Sequence, residues 1–191
     1  MYSFKNTLVL SALLLSVQAI LLYVLGQSLI CECGYVKLWE SVVMSAGNSQ
    51  HVADWYTFSH VIHGFLFYLA VWFFFPHMPL GYRFLLALGV EVGWEVFENT
   101  PMVIEHYRQQ ALAQGYVGDS IINSLSDTCA MIAGFFLAWR LPVLAVIALG
   151  VGLEFFVGFS IRDNLFLNIL GFFHQFEFIS TWQAGLPGQG G

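Results

Sequence analysis

The stretch G-D-S-I-I-N-S-L-S-D, residues 118–127, runs straight into an almost wholly apolar segment, residues 128–141. Asp119, Asn123 and Asp127 are spaced four residues apart, so a helix places all three on one face. A charged side chain near the centre of a bilayer costs roughly 3 kcal/mol on insertion scales. A helix of this kind therefore predicts polar or charged partners elsewhere in the chain.

The composition is that of an integral membrane protein. Of the 191 residues, 58% are hydrophobic and only 9% are charged, and the mean hydropathy is +0.73. A soluble domain carries about 25% charged residues. The net charge of −6, with only six Lys and Arg residues, argues against nucleic acid as a partner because nucleic acid requires a basic surface.

The apolar runs predict an all-α fold, a polytopic transmembrane helical bundle. Its five predicted spans are residues 8–26, 58–75, 81–98, 119–139 and 141–159. The first run also has features of a signal peptide, since Lys5 precedes its apolar core. Its length of ~19 residues and the lack of a small-x-small cleavage site favour a retained anchor.

The remaining segments are expected to lie at the membrane surface or outside it. Residues 27–57 and 164–182 are rich in aromatic and polar side chains and are predicted to be interfacial, the second of them partly inserted. Residues 1–184 thus make a single predicted domain. The Gly-, Pro- and Gln-containing residues 185–191 are predicted to be a disordered tail.

The predicted location is the bacterial inner membrane, with the amino terminus in the cytoplasm. Basic residues divide equally between the two predicted sides, so they set the orientation only weakly. The chosen orientation places the C-x-C motif of Cys31 and Cys33 on the oxidising side. Three interpretations of this motif stay open: a disulfide, a pair of soft metal ligands, and two unlinked thiols.

Polar residues gather at the ends of four predicted spans that lie on one side of the membrane. The set comprises His60 and His63 in the second span, Glu91, Glu95 and Glu98 in the third, and Asp119, Asn123 and Asp127 in the fourth. At 1.5 Å per residue, both acidic columns reach about halfway into the ~30 Å hydrocarbon core. Five carboxyl groups in this space require protons or cations to neutralise them.

A divalent metal (Zn, Mn, Fe or Mg) with imidazole and oxygen ligands meets this requirement. The predicted metal ligands are His60, His63, Asp119 and Asn123. The predicted catalytic acids or bases are Glu95, Glu98 and Asp127. Arg108 and Arg162, at the mouth of the site, are predicted to bind an anionic substrate group.

Structural interpretations of the same residues are also open. The whole polar set can be a network that only specifies the fold. Asp119 lies where the N-cap of the fourth helix belongs, and capping is compatible with ligation. His60 or His63 alone is typical of a core histidine bonded to a neighbour.

Five motifs extend over most of the chain. They are C-E-C-G-Y-V-K-L-W (31–39), D-W-Y-T-F-S-H-V-I-H-G-F-L-F-Y (54–68), W-E-V-F-E-N-T-P (94–101), G-D-S-I-I-N-S-L-S-D-T (118–128) and R-D-N-L (162–165). In these motifs the sequence resembles a family of small bacterial inner-membrane proteins of unknown function, and more loosely the VanZ-like proteins. The resemblance implies a multi-span bacterial membrane protein and implies no activity.

Three functions follow as hypotheses. The first is a metal-dependent hydrolase or transferase that acts on a membrane lipid or lipid-linked substrate from the periplasmic side. The second is a non-catalytic accessory or assembly subunit that binds other membrane protein subunits. The third is a proton or cation pathway, in which Glu91 and Asp127 lie at middle depth.

Overall fold

The computed structural model describes residues 4–185, which form helices and loops without a β-strand. The eight helices are α1 (Phe4–Val24), α2 (Thr57–Phe74), α3 (Leu80–Glu98), α4 (Pro101–Tyr107), α5 (Ile121–Arg140), α6 (Val143–Ile161), α7 (Leu165–Phe173) and α8 (Glu177–Ala184). The predicted all-α class is therefore confirmed. The predicted disordered tail, apart from Gly185, lies outside the described residues.

Four of the described helices, rather than the five predicted, are long and apolar enough to cross a membrane: α1, α2, α5 and α6. The predicted third span forms α3, which has 19 residues but contains Arg83, Glu91, Glu95 and Glu98. That is more charge than an apolar span carries. Glu91 and Glu95 are buried between helices in the structure, so this helix places charge inside the protein rather than against lipid.

Helices α2 and α5 form the centre of the bundle, and two glycines let them approach closely. A Cβ added to Gly64 would lie 2.2 Å from the carbonyl oxygen of Met131. Small residues at such crossings are typical of membrane helix pairs, because apolar burial does not drive their association in lipid. The adjoining core contains Leu88 of α3 and Met131 and Phe135 of α5, all fully buried.

Helices α1 and α6 lie on the outside of this centre. Only 11% of the apolar window of each is buried, and their exposed surface is mainly Leu, Val, Ile and Phe. Helix α1 packs against α3 and α5 through one buried stripe that includes Gln18 and Leu22. The exposed faces of α1 and α6 have the composition expected for contact with acyl chains.

Residues 25–56 contain no regular helix or strand and pack over the start of α5. The backbone N–H groups of Ile121 and Ile122 donate to the carbonyl oxygens of Ser28 and Leu29, at 2.8 and 3.2 Å. These N–H groups belong to the first turn of α5, which has no partners within its own helix. The loop therefore supplies the hydrogen-bond acceptors that the first N–H groups of α5 lack within their own helix.

The N-cap of α5 is Ser120, not Asp119. The Ser120 hydroxyl accepts a hydrogen bond from the backbone N–H of Asn123 at 3.3 Å and donates one to the carbonyl oxygen of Gln50 at 3.0 Å. The capping interpretation of Asp119 is thus wrong by one residue. Ser120 is fully buried, and its hydroxyl can both donate and accept, whereas a carboxylate only accepts.

Candidate functional site

The centre of the candidate site is a group of two histidines and one glutamate. His60 Nδ1 lies 2.7 Å from Glu91 Oε1, and His63 Nδ1 lies 3.2 Å from Glu91 Oε2. Because His60 and His63 are one helical turn apart on α2, their rings meet edge to face, with centroids 4.9 Å apart. One ligand atom from each of the three side chains lies within 4.8 Å of the other two.

Glu95 lies beside this group, one turn further along α3. Its Oε2 accepts a hydrogen bond from the Ser124 hydroxyl at 2.6 Å. Its Oε1 lies 3.2 Å from His60 Nδ1 but makes no hydrogen bond, and that nitrogen is closer to Glu91 Oε1, at 2.7 Å. Glu95 is only 1% exposed. A buried oxygen without a partner costs free energy unless a proton or a cation satisfies it.

Helix α1 supports Glu95 through a second layer of hydrogen bonds. Gln18 donates to the Ser124 hydroxyl at 2.7 Å and accepts from the Thr128 hydroxyl at 3.0 Å. Sequence reasoning did not single out Gln18 as part of the site. Its signal was an amide in the middle of an otherwise apolar helix, which requires a hydrogen-bonding partner when buried.

A cavity of about 430 Å³ joins this group to other polar residues and to an apolar wall. Its ionisable lining residues are His60, His63, Glu98, Asp119, Asp127, Asp163 and three tyrosines, Tyr56, Tyr107 and Tyr116. Its apolar lining includes Leu66 and Phe67 of α2, Val90 and Trp94 of α3, and Ile169, Phe172 and Phe173 of α7. Among the described residues that line it, none is Lys or Arg.

The acids that line the cavity are bonded to neutral donors. Asp127 accepts from the Thr57 hydroxyl at 2.8 Å, and Asp163 accepts from the Tyr56 hydroxyl at 3.1 Å. Glu98 lies near the Tyr107 hydroxyl, and both line the cavity. A neutral hydroxyl brings no positive charge, so each of these carboxyl groups still requires a proton or a cation to neutralise it.

Asp119 joins the end of α3 to the loop before α5. Its Oδ2 accepts from the side-chain amide of Asn99 at 2.7 Å, and its Oδ1 accepts from the Tyr116 hydroxyl at 2.9 Å. The backbone N–H of Asp119 donates in return to Asn99 Oδ1 at 2.6 Å. Burial raises the pKa of the Asp119 carboxyl, while these donors act in the opposite direction.

Two further acids near the cavity were not part of the predicted site. Asp54 accepts from the backbone N–H groups of Ser49 and Tyr56, at 2.9 and 2.8 Å, and burial raises its pKa to about 6. Burial likewise raises the pKa of Asp163 to about 7. Both lie within motifs noted in the sequence, D-W-Y-T and R-D-N-L, but neither has the helical spacing that identified the other acids.

The remaining predicted residues lie apart from the histidine group. Asn123 is 1% exposed and donates to the carbonyl oxygen of His51 at 2.9 Å, and it does not line the cavity. Arg108 donates through Nε to the carbonyl oxygen of Tyr116 at 2.7 Å. Arg162 donates to the carbonyl oxygen of Trp182. Neither arginine lines the cavity, because each is held by a backbone carbonyl outside it.

The chemistry of the central group fits a divalent transition metal. Imidazole nitrogens together with carboxylate oxygens suit Zn, Mn or Fe, whereas Mg prefers oxygen alone. His60, His63 and Glu91 form this set in the structure, and Glu95 adjoins it. Sequence reasoning included both histidines among the metal ligands and placed Glu91 in the polar set and in the cation pathway, but not among the ligands.

The family model for a protein of unknown function, DUF2585, matches residues 22–185. The chain is 50% identical over 172 residues to a UPF0314 protein of Rhizobium meliloti (strain 1021), covering 90% of this chain and 87% of the relative. It is 45% identical over 178 residues to a UPF0314 protein of Sphingopyxis alaskensis, covering 93% and 94%. No solved structure matches the chain.

Proposed function

The chain belongs to the bacterial DUF2585 family, and we propose that it is a membrane-bound, metal-dependent hydrolase or transferase that acts on a lipid or lipid-linked substrate. The proposed location is the inner membrane, with the amino terminus in the cytoplasm and the site facing the periplasm. His60, His63 and Glu91 are the proposed metal ligands, and Glu95 the adjoining base.

The observation that carries this proposal is that one cavity contains both a polar group and an apolar wall. His60 and His63 line it on one side, and Leu66, Val90 and Phe173 line it on another. These three apolar residues are also exposed on the outside of the bundle, at 48%, 50% and 82%. The cavity therefore reaches the outer surface between α2, α3 and α7, where an acyl or isoprenoid chain has access from the bilayer.

The charge of the cavity supports a bound cation. Four carboxyl groups line it, those of Glu98, Asp119, Asp127 and Asp163, without a Lys or Arg among the described lining residues. A divalent metal would offset part of this charge. It would also bind an anionic substrate group, the role first predicted for Arg108 and Arg162, which do not reach the cavity.

The residues around the centre have distinct proposed tasks. A divalent ion at such a group supplies Lewis-acid polarisation of a substrate oxygen and an acidified water. Glu95 Oε1 has no hydrogen-bond partner and lies beside His60, so it is placed to take a proton. Asp127 and Glu98 line the cavity and remain proposed acid–base groups that contact the substrate.

Metal content tests the proposal directly. Full-length protein in lipid nanodiscs is stripped with a chelator, loaded with Zn²⁺ or Mn²⁺ without reductant, desalted and analysed by mass spectrometry. We expect His63→Gln and Glu91→Gln to lose the bound metal. His77→Gln is the matched control, because His77 is exposed and far along the chain from the group. Equal metal content in all four proteins would contradict the metal centre.

An accessory subunit is the second candidate, and the outer surface of α6 favours it. Phe155, Phe156 and Phe159 are 62%, 51% and 86% exposed on this helix. Such an aromatic face suits a partner helix as well as lipid. Light scattering of the protein purified in detergent separates the two, because a stable monomer would count against an obligate subunit.

A further inference from the structure

A second group of metal-ligating side chains lies in the loop before α2. Cys31 and Cys33 form a disulfide, and His51 lies beside it. One ligand atom from each of the three residues lies within 4.8 Å of the others. This group is separate from the His60–His63–Glu91 centre, because it lines a different cavity.

The surroundings of this group hold the histidine in place. His51 is 1% exposed, and its Nδ1 accepts a hydrogen bond from the backbone N–H of Lys37 at 3.3 Å. The Tyr35 ring stacks on the imidazole, with centroids 5.6 Å apart. Glu40 Oε2 lies 3.7 Å from His51 Nε2, so a carboxylate is also near. A fixed imidazole loses little entropy when it binds an ion.

The group is accessible from outside. Both cysteines, His51 and Glu40 line a cavity of about 840 Å³. Cys33 is exposed, whereas Cys31 is only 4% exposed. A thiol reductant can therefore reach the Cys33 sulfur of the disulfide. A metal ion can enter the same cavity.

We infer that Cys31, Cys33 and His51 form a second metal site, which the disulfide closes and which two-electron reduction opens to bind Zn²⁺. Two thiolates and one imidazole are the ligand types that select zinc. A water would complete the four-coordinate set, since Glu40 Oε2 is already paired with Lys37 Nζ at 2.6 Å. While the disulfide stands, neither sulfur carries the charge that makes a thiolate a strong ligand.

The opening step uses a dithiol reductant and is balanced in electrons and protons. A reductant thiolate attacks the exposed sulfur of Cys33, the S–S bond breaks, and Cys31 leaves as a thiolate. The backbone N–H of Cys33 lies 3.2 Å from Cys31 Sγ, where it stabilises that charge. The second reductant thiol then displaces Cys33 and leaves the reductant as a disulfide. Zinc binding releases the protons of the two protein thiols.

The loop joins this site to the buried end of α5. The carbonyl oxygen of His51 accepts from Asn123, and the carbonyl oxygen of Ser49 accepts from the backbone N–H of Ser120 at 2.9 Å. Ordering or loosening residues 31–51 therefore acts on the helix that carries Asp127. These hydrogen bonds connect the metal site in the loop to α5, whose Asp127 lines the larger cavity.

Zinc content before and after reduction tests the inference. Full-length protein in nanodiscs is stripped with a chelator, divided, and treated or not treated with a phosphine reductant, which breaks disulfides without itself supplying thiol ligands. Both portions are loaded with Zn²⁺, desalted and analysed by mass spectrometry. We expect the reduced portion to retain one more zinc per chain than the oxidised portion. Equal zinc in the two portions would overturn the inference.

Variants assign the extra zinc to the loop. Cys33→Ser should abolish the reduction-dependent increment, whereas Cys129→Ser, which removes the exposed free thiol of α5, should retain it. His63→Gln should also retain it, since that residue belongs to the other centre. Cobalt loading provides a second measurement: thiolate-to-Co²⁺ charge-transfer absorption should appear only in reduced protein that has both Cys31 and Cys33. An increment that persists in Cys33→Ser would exclude this site.

Discussion

Gly64 of α2 and Gly134 of α5 face each other where the two helices cross, and a Cβ added to Gly134 would lie 3.2 Å from the Cα of Gly64. The same Cβ would lie 2.1 Å from the carbonyl oxygen of Val61. Both neighbours are backbone atoms, which cannot rotate away as a flexible side chain can. This contact fixes the distance between α2 and α5, and with it the position of His60 and His63 relative to Asp127.

Gly134→Ala should therefore destabilise the protein strongly. Overpacking in a well-packed core typically costs about 1 to 3 kcal/mol, and a clash with backbone lies at the upper end. We expect a lower melting temperature in detergent and weaker metal binding at the histidine group. Gly152→Ala is the matched control, since nothing lies within 4 Å of its added Cβ. If both variants have the melting temperature of the wild type, α2 and α5 do not approach as closely as the structure shows.

Asp119→Ala should destabilise the fold even in the absence of metal. The change removes one of the two acceptors of the buried Asn99 amide, which still donates to the carbonyl oxygen of Glu95, and the acceptor of the half-buried Tyr116 hydroxyl, at about 1 to 3 kcal/mol in all. Thermal unfolding of chelator-treated protein measures this cost. Glu105→Ala serves as the control because the Glu105 side chain is 69% exposed. A stable Asp119→Ala protein that fails to bind metal would instead support the predicted ligand role.

Asp163 should make stability fall as the pH rises towards neutrality. Burial raises its pKa from the ordinary value of 3.8 to about 7, so between these values the folded state binds the proton that the unfolded state has lost. The stabilisation is complete below pH ~3.8 and is lost as the pH rises through ~7, by at most about 4 kcal/mol. Asp54, with its pKa raised to about 6, acts in the same direction.

Melting temperatures measured from pH ~5 to ~8 check this sign. The Asp163→Asn variant cannot titrate at this position, so its stability should fall less steeply with pH than that of the wild type. The slope is the readout, because the substitution also changes the hydrogen bond with Tyr56. Parallel curves for the two proteins would show that Asp163 is ionised throughout this range.

Val90→Trp should block the apolar mouth of the cavity. Val90 lines the cavity and is 50% exposed, so a larger ring there fills the route between α2, α3 and α7. We expect a fluorescent long-chain alcohol to bind about tenfold more weakly, a change of about 1.4 kcal/mol. Val151→Trp is the control, since Val151 is equally exposed on α6 and does not line the cavity. Equal binding of the alcohol by both variants would contradict an opening of the cavity at Val90.

Spacing along single helices predicted which polar side chains share a face. His60 and His63 are one turn apart, and Glu91 and Glu95 are also one turn apart, so each pair shares a face whatever the tertiary structure is. The acids on α3 needed a polar neighbour inside the bundle, and the histidines of α2 provide it. Pairing of the α3 acids with a polar group could be expected, because a buried charge requires a partner.

Other residues of the site could not be predicted from spacing. Gln18 lies far along the chain from Ser124 and Thr128, and only the packing of α1 against α5 brings them together. Arg108 and Arg162 were predicted at the mouth from their sequence position alone. Each instead donates to a nearby backbone carbonyl, and no local pattern distinguishes these two outcomes.

The sequence by itself determined that this is an all-helical membrane protein in which α2 carries two histidines on one face and α3 carries two glutamates on one face. Hydropathy and the 3.6-residue period are local properties, so they are readable without the fold. Only the tertiary structure decided that Glu91 rather than Asp119 meets both histidines, and that residues of α2, α3 and α7 line one cavity. Those outcomes depend on the rotation and depth at which helices pack, which are set by contacts such as Gly64 with Gly134.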